Sequence, residues 1–374
     1  MTKNRKPPLV LVANNPFGHH LLTSQLLDVY RKLELDEEII LFCNGFVNNA
    51  DPNTQSDFDV RSFASRFGAA FSWTKLIWLL LILRFQEPRA RFHLRGFVSA
   101  ALFAVSRLFL MPSGRYIYDP RGAFFLEWRE AGRAKLAGKV FGWIEARLIA
   151  HSIATIVTTD RFARLYSRLF GHRQRYQTIY NATSFAFQDI DKPVHAADVV
   201  RIVYLGTFNH WHDMDEVARV VASATRQLGP SRTEIYIYTS KKFHARVKET
   251  LGRIECKALC VEYVNYRDIP ATLADKHIGI SVVRPTLSTR IASPIKIGDY
   301  VASSLLPLLN SGIGDFDSHY ATERSAVLYR FGGEVDLSGI ASVQARPNRK
   351  IYDCLSIEQA SRKLGPLVKQ LHNA

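Results

Sequence analysis

The stretch Ser293-Pro-Ile-Lys-Ile-Gly-Asp-Tyr300 places a helix start, a cation and a carboxylate within about two helical turns. We predict that Ser293 caps the helix and that Pro294 takes its first position, where a missing N–H group costs no hydrogen bond. Lys296 then lies in the first turn, where the helix end already favours an anion. Asp299 lies three residues further on, over the same face of the helix.

The loop that precedes this helix adds two cations, Arg284 and Arg290. A ribose diphosphate has a matching polarity, because its phosphates are negative and its hydroxyl groups suit a carboxylate. The segment therefore predicts a nucleotide site in which Arg284, Ser293 and Lys296 hold a diphosphate. In the alternative interpretation the two arginines are ordinary surface residues of a loop.

Outward from this segment, short apolar runs alternate with stretches of helical periodicity. This order predicts an α/β protein with two Rossmann-like, mostly parallel sheets. Residues 44–114 are read as a polar loop followed by basic and apolar helical material. Predicted strands cover residues 9–13, 38–43, 116–118, 154–157, 177–180, 201–205, 234–238, 258–262, 278–282 and 307–309. Predicted helices cover residues 21–33, 125–150, 160–170, 215–228, 241–251, 268–275, 294–304 and 357–371.

The length of 374 residues allows two domains. We predict a first domain over residues 1–190 and a second over residues 200–355, joined by the polar, aperiodic residues 187–199. A C-terminal helix, 356–374, is expected to pack back on the first domain. Two such domains are expected to face a central cleft, with ligands bound beyond the carboxyl ends of the strands.

The net charge of +15 is concentrated in the first half, where residues 61–175 hold 20 Lys and Arg against 6 Asp and Glu. The same region contains the apolar stretches 76–83 and 97–111, both judged too short or too interrupted to span a membrane. Basic residues beside apolar ones are typical of docking on an anionic membrane surface. A core helix with solvated arginines explains the pattern equally well. Without a recognition motif, we do not expect a nucleic-acid partner.

Four scattered cysteines and the lack of a secretory signal predict reduced thiols and a cytoplasmic protein, either free or at the inner face of the cell membrane. The triplet Asp213-Met-Asp215 resembles a metal-binding motif. Asp213 and Glu216, however, have the spacing of a capping box, which explains the acids without a metal. We therefore expect no metal site and no cofactor.

Three further strand ends carry candidate residues. Gly206 and Thr207 follow the strand 201–205, where glycine permits a close approach and threonine offers a hydrogen bond to a phosphate or sugar. The two glycines of Asn310-Ser-Gly-Ile-Gly-Asp315 suit either a tight turn or a pyrophosphate. In the first half, Tyr118-Asp-Pro-Arg-Gly122 and Glu127 form the densest polar cluster, and His19 or His20 after the first strand are also within reach of this edge.

We predict catalytic roles for that cluster. Asp119 would orient a hydroxyl group or act as a base, Arg121 would bind an anion, and Glu127 would act as acid or base. The alternative is a turn between Asp119 and Arg121, with Glu127 on a solvated helix face.

Together these segments resemble a known family. Residues 293–302, Leu306-Pro307 and residues 310–315 are similar to the "SPtKxxEYLAxGlPvixnxGiGD" block of bacterial retaining glycosyltransferases with the GT-B fold, family 4-like (glycosyl transferases group 1). Tyr204-Leu-Gly-Thr207 resembles the start of the family's C-terminal domain. The cluster at 118–127 and Tyr180-Asn-Ala182 match landmarks of its N-terminal domain.

The resemblance implies a retaining, hexosyltransferase-type enzyme of cell-surface polysaccharide synthesis that needs no metal. Its partners would be a nucleotide-sugar donor and a glycan or lipid-linked acceptor. Lys296 and Arg284 would contact the donor diphosphate, Asp299 the ribose, and Gly206 with Thr207 the phosphate and sugar.

Two positions depart from the family pattern. Position 299 is Asp where Glu is usual, and Ile291 stands where many relatives have an acid. The alternatives to a transferase are a nucleotide-sugar epimerase or hydrolase of the same fold, and a non-enzymatic protein that binds membranes or nucleic acid.

Overall fold

The computed structural model describes residues 6–16, 19–44, 57–107, 115–192, 194, 197–323, 325–338 and 348–373. The chain forms two compact units. Unit 1 comprises residues 1–180 and 357–374, and unit 2 comprises residues 181–356. The predicted boundary at residue 190 therefore lies too late, and the described part of the predicted linker 187–199 belongs to unit 2.

The reason for this shift is a set of contacts made by residues just after the boundary. The Asn181 N–H group donates to Ser293 Oγ, and the Thr183 hydroxyl donates to Asp299 Oδ1. Both partners belong to unit 2, which fixes this polar segment there.

Unit 1 is a parallel sheet flanked by helices. Its strands are β1 Leu9–Ala13, β2 Ile39–Cys43, β3 Asp59–Ser62, β4 Arg91–Arg95, β5 Tyr116–Asp119, β6 Ala154–Val157 and β7 Tyr176–Thr178. Its helices are α1 (His20–Leu22, a π-helical turn Thr23–Leu27, and Asp28–Arg31), α2 Ala69–Gln86, α3 Phe97–Ser106, α4 Phe124–Glu130, α5 Lys135–His151, α6 Asp160–Phe170, the 3-10 turn Arg173–Arg175 and the C-terminal helix Ile357–Asn373. The strand order is β3-β2-β1-β4-β5-β6-β7.

Two features of unit 1 differ from the predictions. The single helix predicted over residues 125–150 is two helices, α4 and α5, separated by a turn in which Gly132 has a φ of 69°. Strands β3 and β4 were not predicted, and β4 is fully buried although three of its five residues are Arg or His. The predicted polar loop after residue 44 lies largely outside the described residues.

Helix α2 is the one helix in the described part of the chain that is long and apolar enough to cross a membrane by length and composition. The expectation that this stretch is too short is therefore wrong on length. The helix nevertheless lies against α3 and buries Ser72, Leu76, Leu80 and Leu83 within unit 1.

Unit 2 is a second parallel sheet. Its strands are β8 Val200–Leu205, β9 Thr233–Tyr238, β10 Ala258–Glu262, β11 Ile278–Ser281, β12 Leu306–Asn310 and β13 Val327–Tyr329. Its helices are α7 Met214–Leu228, α8 His244–Leu251, α9 Ile269–Leu273, α10 Ile295–Ala302, α11 Phe316–Glu323 and α12 Arg349–Cys354, with 3-10 turns Pro230–Arg232, Lys241–Phe243, Tyr266–Asp268 and Thr289–Ile291. The strand order is β10-β9-β8-β11-β12-β13.

Each sheet reverses its direction of winding beside its first strand. In unit 1 this point lies between β1 and β4, and in unit 2 it lies between β8 and β11. Side chains that leave the carboxyl ends of these strands line a crevice where open α/β sheets bind their ligands. The predicted α/β fold with two Rossmann-like sheets is confirmed, and the two crevices are where functional residues are expected.

Candidate functional site

In unit 2, helix α10 is fixed against the crevice by Tyr300. Its hydroxyl donates to the Ile280 carbonyl (3.0 Å) and accepts from the Leu205 N–H group (2.9 Å). Gly279 makes room for the ring, because a Cβ at this position would lie 2.4 Å from Tyr300 Cγ. The helix is thereby bonded to β8 and β11, the two strands that border the crevice.

The start of α10 differs from the prediction by one residue. Pro294, with an extended backbone, occupies the N-cap position and provides no side-chain hydrogen bond. Ser293 is buried, and its Oγ accepts from the Asn181 N–H group. The prediction that Ser293 caps the helix is wrong, because proline already takes the cap position and the serine side chain faces residue 181.

Lys296 lies in the first turn of α10 with its side chain 7% exposed. Its Nζ is 4.5 Å from the centre of the Tyr204 ring and has no hydrogen-bond partner among the described residues. Burial lowers the pKa of Lys296 to about 7, although the Asp299 carboxyl partly opposes this shift. A buried ammonium group without a partner is costly unless something supplies one.

Gly206 brings the backbone after β8 next to this ammonium group. Its φ is 135°, and a Cβ built on it would lie 3.2 Å from Lys296 Nζ. Glycine therefore fits here for two reasons: the backbone conformation and the closeness of the lysine. The following Thr207 is exposed to solvent.

His212, on the same loop, was not among the predicted residues. Its Nδ1 lies 3.0 Å from Asn209 Oδ1, which also accepts from the backbone N–H groups of Trp211 and His212. Nδ1 therefore carries the proton and Nε2 is an acceptor. The charge of Lys296 and burial lower the pKa of His212 to about 3, so the imidazole is neutral.

Arg284 and Asp213 form an ion pair beside this loop. Asp213 also caps α7, accepting from the N–H groups of Asp215 (3.0 Å) and Glu216 (3.2 Å), so the predicted cap is confirmed. Glu216 does not reach back as a capping box requires, because it accepts from Arg219 and from the Gly332 N–H group. Arg284 keeps more than half of its side chain exposed.

Asp299 is buried one turn beyond Lys296. The Thr183 hydroxyl donates to its Oδ1 (2.7 Å), and burial raises the pKa of this carboxyl to about 7. One oxygen of this buried carboxyl is therefore already bonded within unit 2, and its contact with a ribose stays a prediction.

The two glycines after β12 form a turn whose amides are already in use. The Gly312 N–H group donates to Asp317 Oδ2 (2.8 Å), and the Gly314 N–H group donates to the Arg290 carbonyl (3.1 Å). These two amides thus close the turn, which supports a tight turn over a pyrophosphate site as the role of the two glycines. Among the described residues, no group of three or more His, Cys, Asp or Glu gathers as a metal site would require.

In unit 1, Asp119 ends β5 and is buried in an ion cluster. Its Oδ2 accepts from Arg95 Nη1 (3.0 Å) and lies 3.5 Å from His93 Nε2, and its Oδ1 lies 3.5 Å from Arg121 Nη1. Burial opposes ionisation, but the charges of Arg121 and Arg95 and the nearby His93 outweigh it and hold the pKa of Asp119 well below its usual range. Asp119 is therefore better suited to holding Arg95 and Arg121 in place than to acting as the predicted base.

A cavity of about 290 Å³ lies at the carboxyl ends of β1, β4 and β5. Arg121, with a φ of 65°, contributes a partly exposed guanidinium group whose Nη2 donates to Gln25 Oε1 (3.2 Å). Glu127 lines the same cavity, and its Oε1 lies so close to Gly122 that a Cβ there would be 2.3 Å away. Burial, together with the charge of Glu130, raises the pKa of Glu127. Other lining residues are Asn14, Asn15, Arg95, Gly96, Phe97, Val98, Pro120 and Phe124.

No protein-family profile and no curated protein sequence matches the chain. Solved structures do match over nearly the whole length. HepE from Anabaena in complex with UDP and glucose has a TM-score of 0.68 at 11% identity, covering 97% of this chain and 99% of HepE. Sucrose-phosphate synthase from Thermosynechococcus elongatus has a TM-score of 0.70 at 11% identity, covering 98% and 99%.

Two further structures are similar at a lower score. WaaG, a glycosyltransferase involved in lipopolysaccharide biosynthesis, has a TM-score of 0.61 at 10% identity, covering 98% of this chain and 94% of WaaG. A putative UDP-N-acetylglucosamine 2-epimerase from Listeria monocytogenes has a TM-score of 0.52 at 9% identity, covering 96% and 90%. The chain has the GT-B fold.

Within this GT-B fold, the structure divides the predicted residues into two sets. In unit 2 it brings together Lys296, Gly206 and the loop that carries Asp213, which binds Arg284. In unit 1, Arg121 and Glu127 share one cavity, with Asp119 buried beneath it. Tyr204, His212 and Tyr300 were missed as site residues, because an aromatic or imidazole side chain in a strand, loop or helix gives no signal until its neighbours are known.

Proposed function

We propose that the protein is a glycosyltransferase that moves a sugar from a nucleotide-sugar, with the donor diphosphate bound beside Lys296 in unit 2. The observation that carries the proposal is the buried Lys296 ammonium group at the start of α10, which has no hydrogen-bond partner among the residues that the structure describes. A phosphate oxygen supplies the missing acceptor, and the helix end favours the same charge. The GT-B fold and the UDP bound to HepE support this choice of ligand.

The unit 2 crevice offers several contacts for such a donor. Gly206 allows a phosphate to come close to the backbone, and the neutral His212 offers an acceptor nitrogen. Arg284 has a half-exposed guanidinium group that also reaches solvent, so it can bond a phosphate oxygen while Asp213 holds it. Cleavage of the sugar–phosphate bond leaves negative charge on the diphosphate, and cations placed beforehand stabilise that charge in the transition state.

We also propose that the cavity of unit 1 binds the acceptor. Arg121 offers hydrogen bonds to an anionic or hydroxyl group, and Glu127 is held close to the backbone of Gly122. Burial and the charge of Glu130 raise the pKa of Glu127, the direction expected for a carboxyl group that exchanges a proton with a hydroxyl group. Asp119 orients both arginines in this scheme instead of acting as the base.

The finer parts of the proposal rest on the resemblance to the family block around α10. They are retention of the anomeric configuration, a hexose as the transferred sugar, a glycan or lipid-linked acceptor and no metal requirement. A cytoplasmic location rests instead on the four scattered cysteines. A role in cell-surface polysaccharide synthesis has further support from the similarity to WaaG, which takes part in lipopolysaccharide biosynthesis.

The test has two stages. Thermal-shift and calorimetric titrations with a set of nucleoside diphosphates and their sugars identify the donor. Release of the nucleoside diphosphate is then followed with and without acceptor extracts of cell-surface glycans and lipids. We expect one nucleotide to bind. We also expect release of the nucleoside diphosphate to depend on the presence of an acceptor. Failure of every nucleotide to bind would refute the proposal.

The similarity to an epimerase gives one alternative, and the same assay separates it. An epimerase or hydrolase converts the nucleotide-sugar in the absence of any acceptor. Conversion of the sugar without acceptor, followed by nuclear magnetic resonance, would favour that alternative and refute the transferase.

A further inference from the structure

Helix α2 has a second apolar face that none of the described residues of unit 1 covers. Its buried positions follow one stripe, and the residues Phe71, Lys75, Trp78 and Phe85 follow another at helical spacing. The side chains of Phe71, Trp78 and Phe85, and of Phe67 just before the helix, are between 60% and 82% exposed. Large aromatic groups clustered in this way on a surface mark an interaction site.

The charges around this stripe are mostly positive. Arg66, Lys75, Arg84 and Arg89 are exposed, and residues 64–89 contain a single acid, Glu87. Aromatic side chains that alternate with lysine and arginine suit the boundary between lipid headgroups and acyl chains, where the rings insert and the cations meet anionic lipid.

Helix α5 carries a second stripe of the same kind. Leu136, Val140 and Trp143 are between 46% and 74% exposed, and Lys139 and Arg147 lie on the same side. Helix α3 contacts both α2 and α5, and the direction of the right-handed connections from β3 to β6 places all three helices on one face of the sheet. The two stripes therefore belong to one layer of helices.

We propose that this layer, with the outer stripes of α2 and α5 as contact residues, docks unit 1 on the surface of an anionic lipid bilayer. The helices lie in the plane of the membrane surface and do not cross it, because the inner stripe of α2 is packed within unit 1. A second copy of the chain is a poor occupant, since it would bring two strongly basic surfaces together. The proposal stands independently of the donor site.

Vesicle flotation tests it directly. Full-length protein is mixed with vesicles of phosphatidylcholine alone, or with about 30% phosphatidylglycerol, at about 0.1 M and about 1 M salt. We expect flotation only with the anionic vesicles and a marked loss at high salt. Flotation that is equal on both vesicle types, or absent on both at low salt, would overturn the proposal.

Variants then locate the surface. The triple variant Phe71→Ser/Trp78→Ser/Phe85→Ser removes exposed rings, and Lys75→Gln with Arg84→Gln removes charge. The matched control Ile190→Ser/Tyr263→Ser removes exposed apolar side chains of unit 2. Each cation removed is expected to weaken binding about fivefold. The ring variant is expected to abolish flotation while the control floats like the wild type.

Two outcomes with these variants would overturn the proposal. If the wild type sediments as a dimer that the ring variant loses, and neither binds vesicles, the occupant is a second copy. If the ring variant still floats like the wild type, the bilayer contact lies elsewhere and the proposal fails. Circular dichroism of each variant confirms that the helices are intact, so a loss of flotation reports the surface and not unfolding.

Discussion

Replacing Lys296 by methionine removes the ammonium nitrogen and keeps a side chain of similar length and volume. The change therefore leaves the packing of α10 against β8 largely in place. In the wild type, Nζ has no hydrogen-bond partner among the described residues and lies 4.5 Å from the Tyr204 ring. The variant consequently loses no internal hydrogen bond, and its effect on ligand binding reports the contact with the ligand.

The expected size follows from the chemistry of the contact. A hydrogen bond between a charged donor and a charged acceptor contributes about 1.5–3 kcal/mol. Its loss weakens nucleoside diphosphate binding roughly 10- to 100-fold. Calorimetric titration with the nucleotide chosen by thermal shift measures this change in Kd.

The variant is expected to be more stable than the wild type near pH 7, although it binds the nucleotide more weakly. Burial lowers the pKa of Lys296 to about 7, whereas the unfolded chain keeps the ordinary value near 10.5. The unfolded state therefore binds more protons between these two values, and the residue destabilises the fold increasingly as pH falls through that window. Lys296→Met is expected to raise the free energy of unfolding near pH 7 and to lose this advantage above about pH 10.

Donor binding should also take up a proton. At about pH 8 the free protein holds Lys296 mostly neutral, and a bound diphosphate favours its ammonium form. The heat of binding should then depend on the ionisation enthalpy of the buffer in the wild type, and this dependence should be smaller in the variant.

The matched control is Lys276→Met. Lys276 is also buried, lies over the Tyr236 ring (4.0 Å) and pairs with Asp275, but it precedes β11 at the amino-terminal edge of the sheet. Nucleotide binding should be unchanged in this control. If Lys296→Met also binds as the wild type does, or if both variants lose affinity equally, the assignment of the diphosphate to Lys296 is wrong.

Three further predictions concern the two crevices and the core of unit 1. Gly206→Ala is expected to weaken nucleotide binding roughly tenfold, because its methyl group would lie 3.2 Å from Lys296 Nζ at a φ of 135°. The control is Gly229→Ala, which also has a positive φ. Equal losses of affinity in the two variants would contradict the assignment. Asp119→Asn is expected to lower the free energy of unfolding by about 3–5 kcal/mol in urea titrations, since it leaves Arg95 without its counter-ion; unchanged stability with lost activity would restore the role of base. Burial raises the pKa of Glu145 to about 8, so the stability that its protonated form contributes is lost as pH rises through that value. Glu145→Gln should therefore gain stability relative to the wild type between about pH 5 and pH 9. Parallel plots of the free energy of unfolding against pH for the two proteins would refute this.

Five of the six strands of unit 2 follow closely from the sequence, because their residues are apolar and their ends carry turn residues. The short edge strand β13 was not predicted. Residues 258–262 form the predicted strand, and the strand predicted over 201–205 is longer by one residue. Helix α10 was also placed correctly to within a turn. These elements obey local rules, in which apolar runs indicate buried parallel strands and a proline indicates a helix start.

Strand β4 shows where such reasoning fails. Its sequence Arg91-Phe-His-Leu-Arg95 alternates polar and apolar residues, as a strand with one solvated face does. All five residues are buried, because Arg91 bonds Glu37 and Arg95 bonds Asp119. The partners come from distant parts of the chain, and no local pattern reveals them.

In the candidate site, too, local sequence signals identified residues but did not reveal their long-range contacts. The sequence singled out Lys296 and Gly206 because helix starts and glycines after strands have local signatures. It did not predict that the Lys296 side chain lies directly against the backbone of Gly206. This contact depends on Tyr300 and Gly279, which hold α10 against two strands. Ser293 was misassigned because its actual partner, Asn181, is more than a hundred residues away.

The two crevices differ in how their cations are satisfied, and this difference indicates which one is built for a multiply charged anion. In unit 1, Arg95 bonds Asp119 and the Gln25 carbonyl, and Arg121 bonds the Gln25 side chain. In unit 2, Lys296 is buried and has no such partner in the part of the chain that the structure describes. The unpaired ammonium group supports the proposed assignment of the diphosphate to unit 2. The satisfied arginines of unit 1 suit an acceptor that exchanges hydrogen bonds without bringing a large charge.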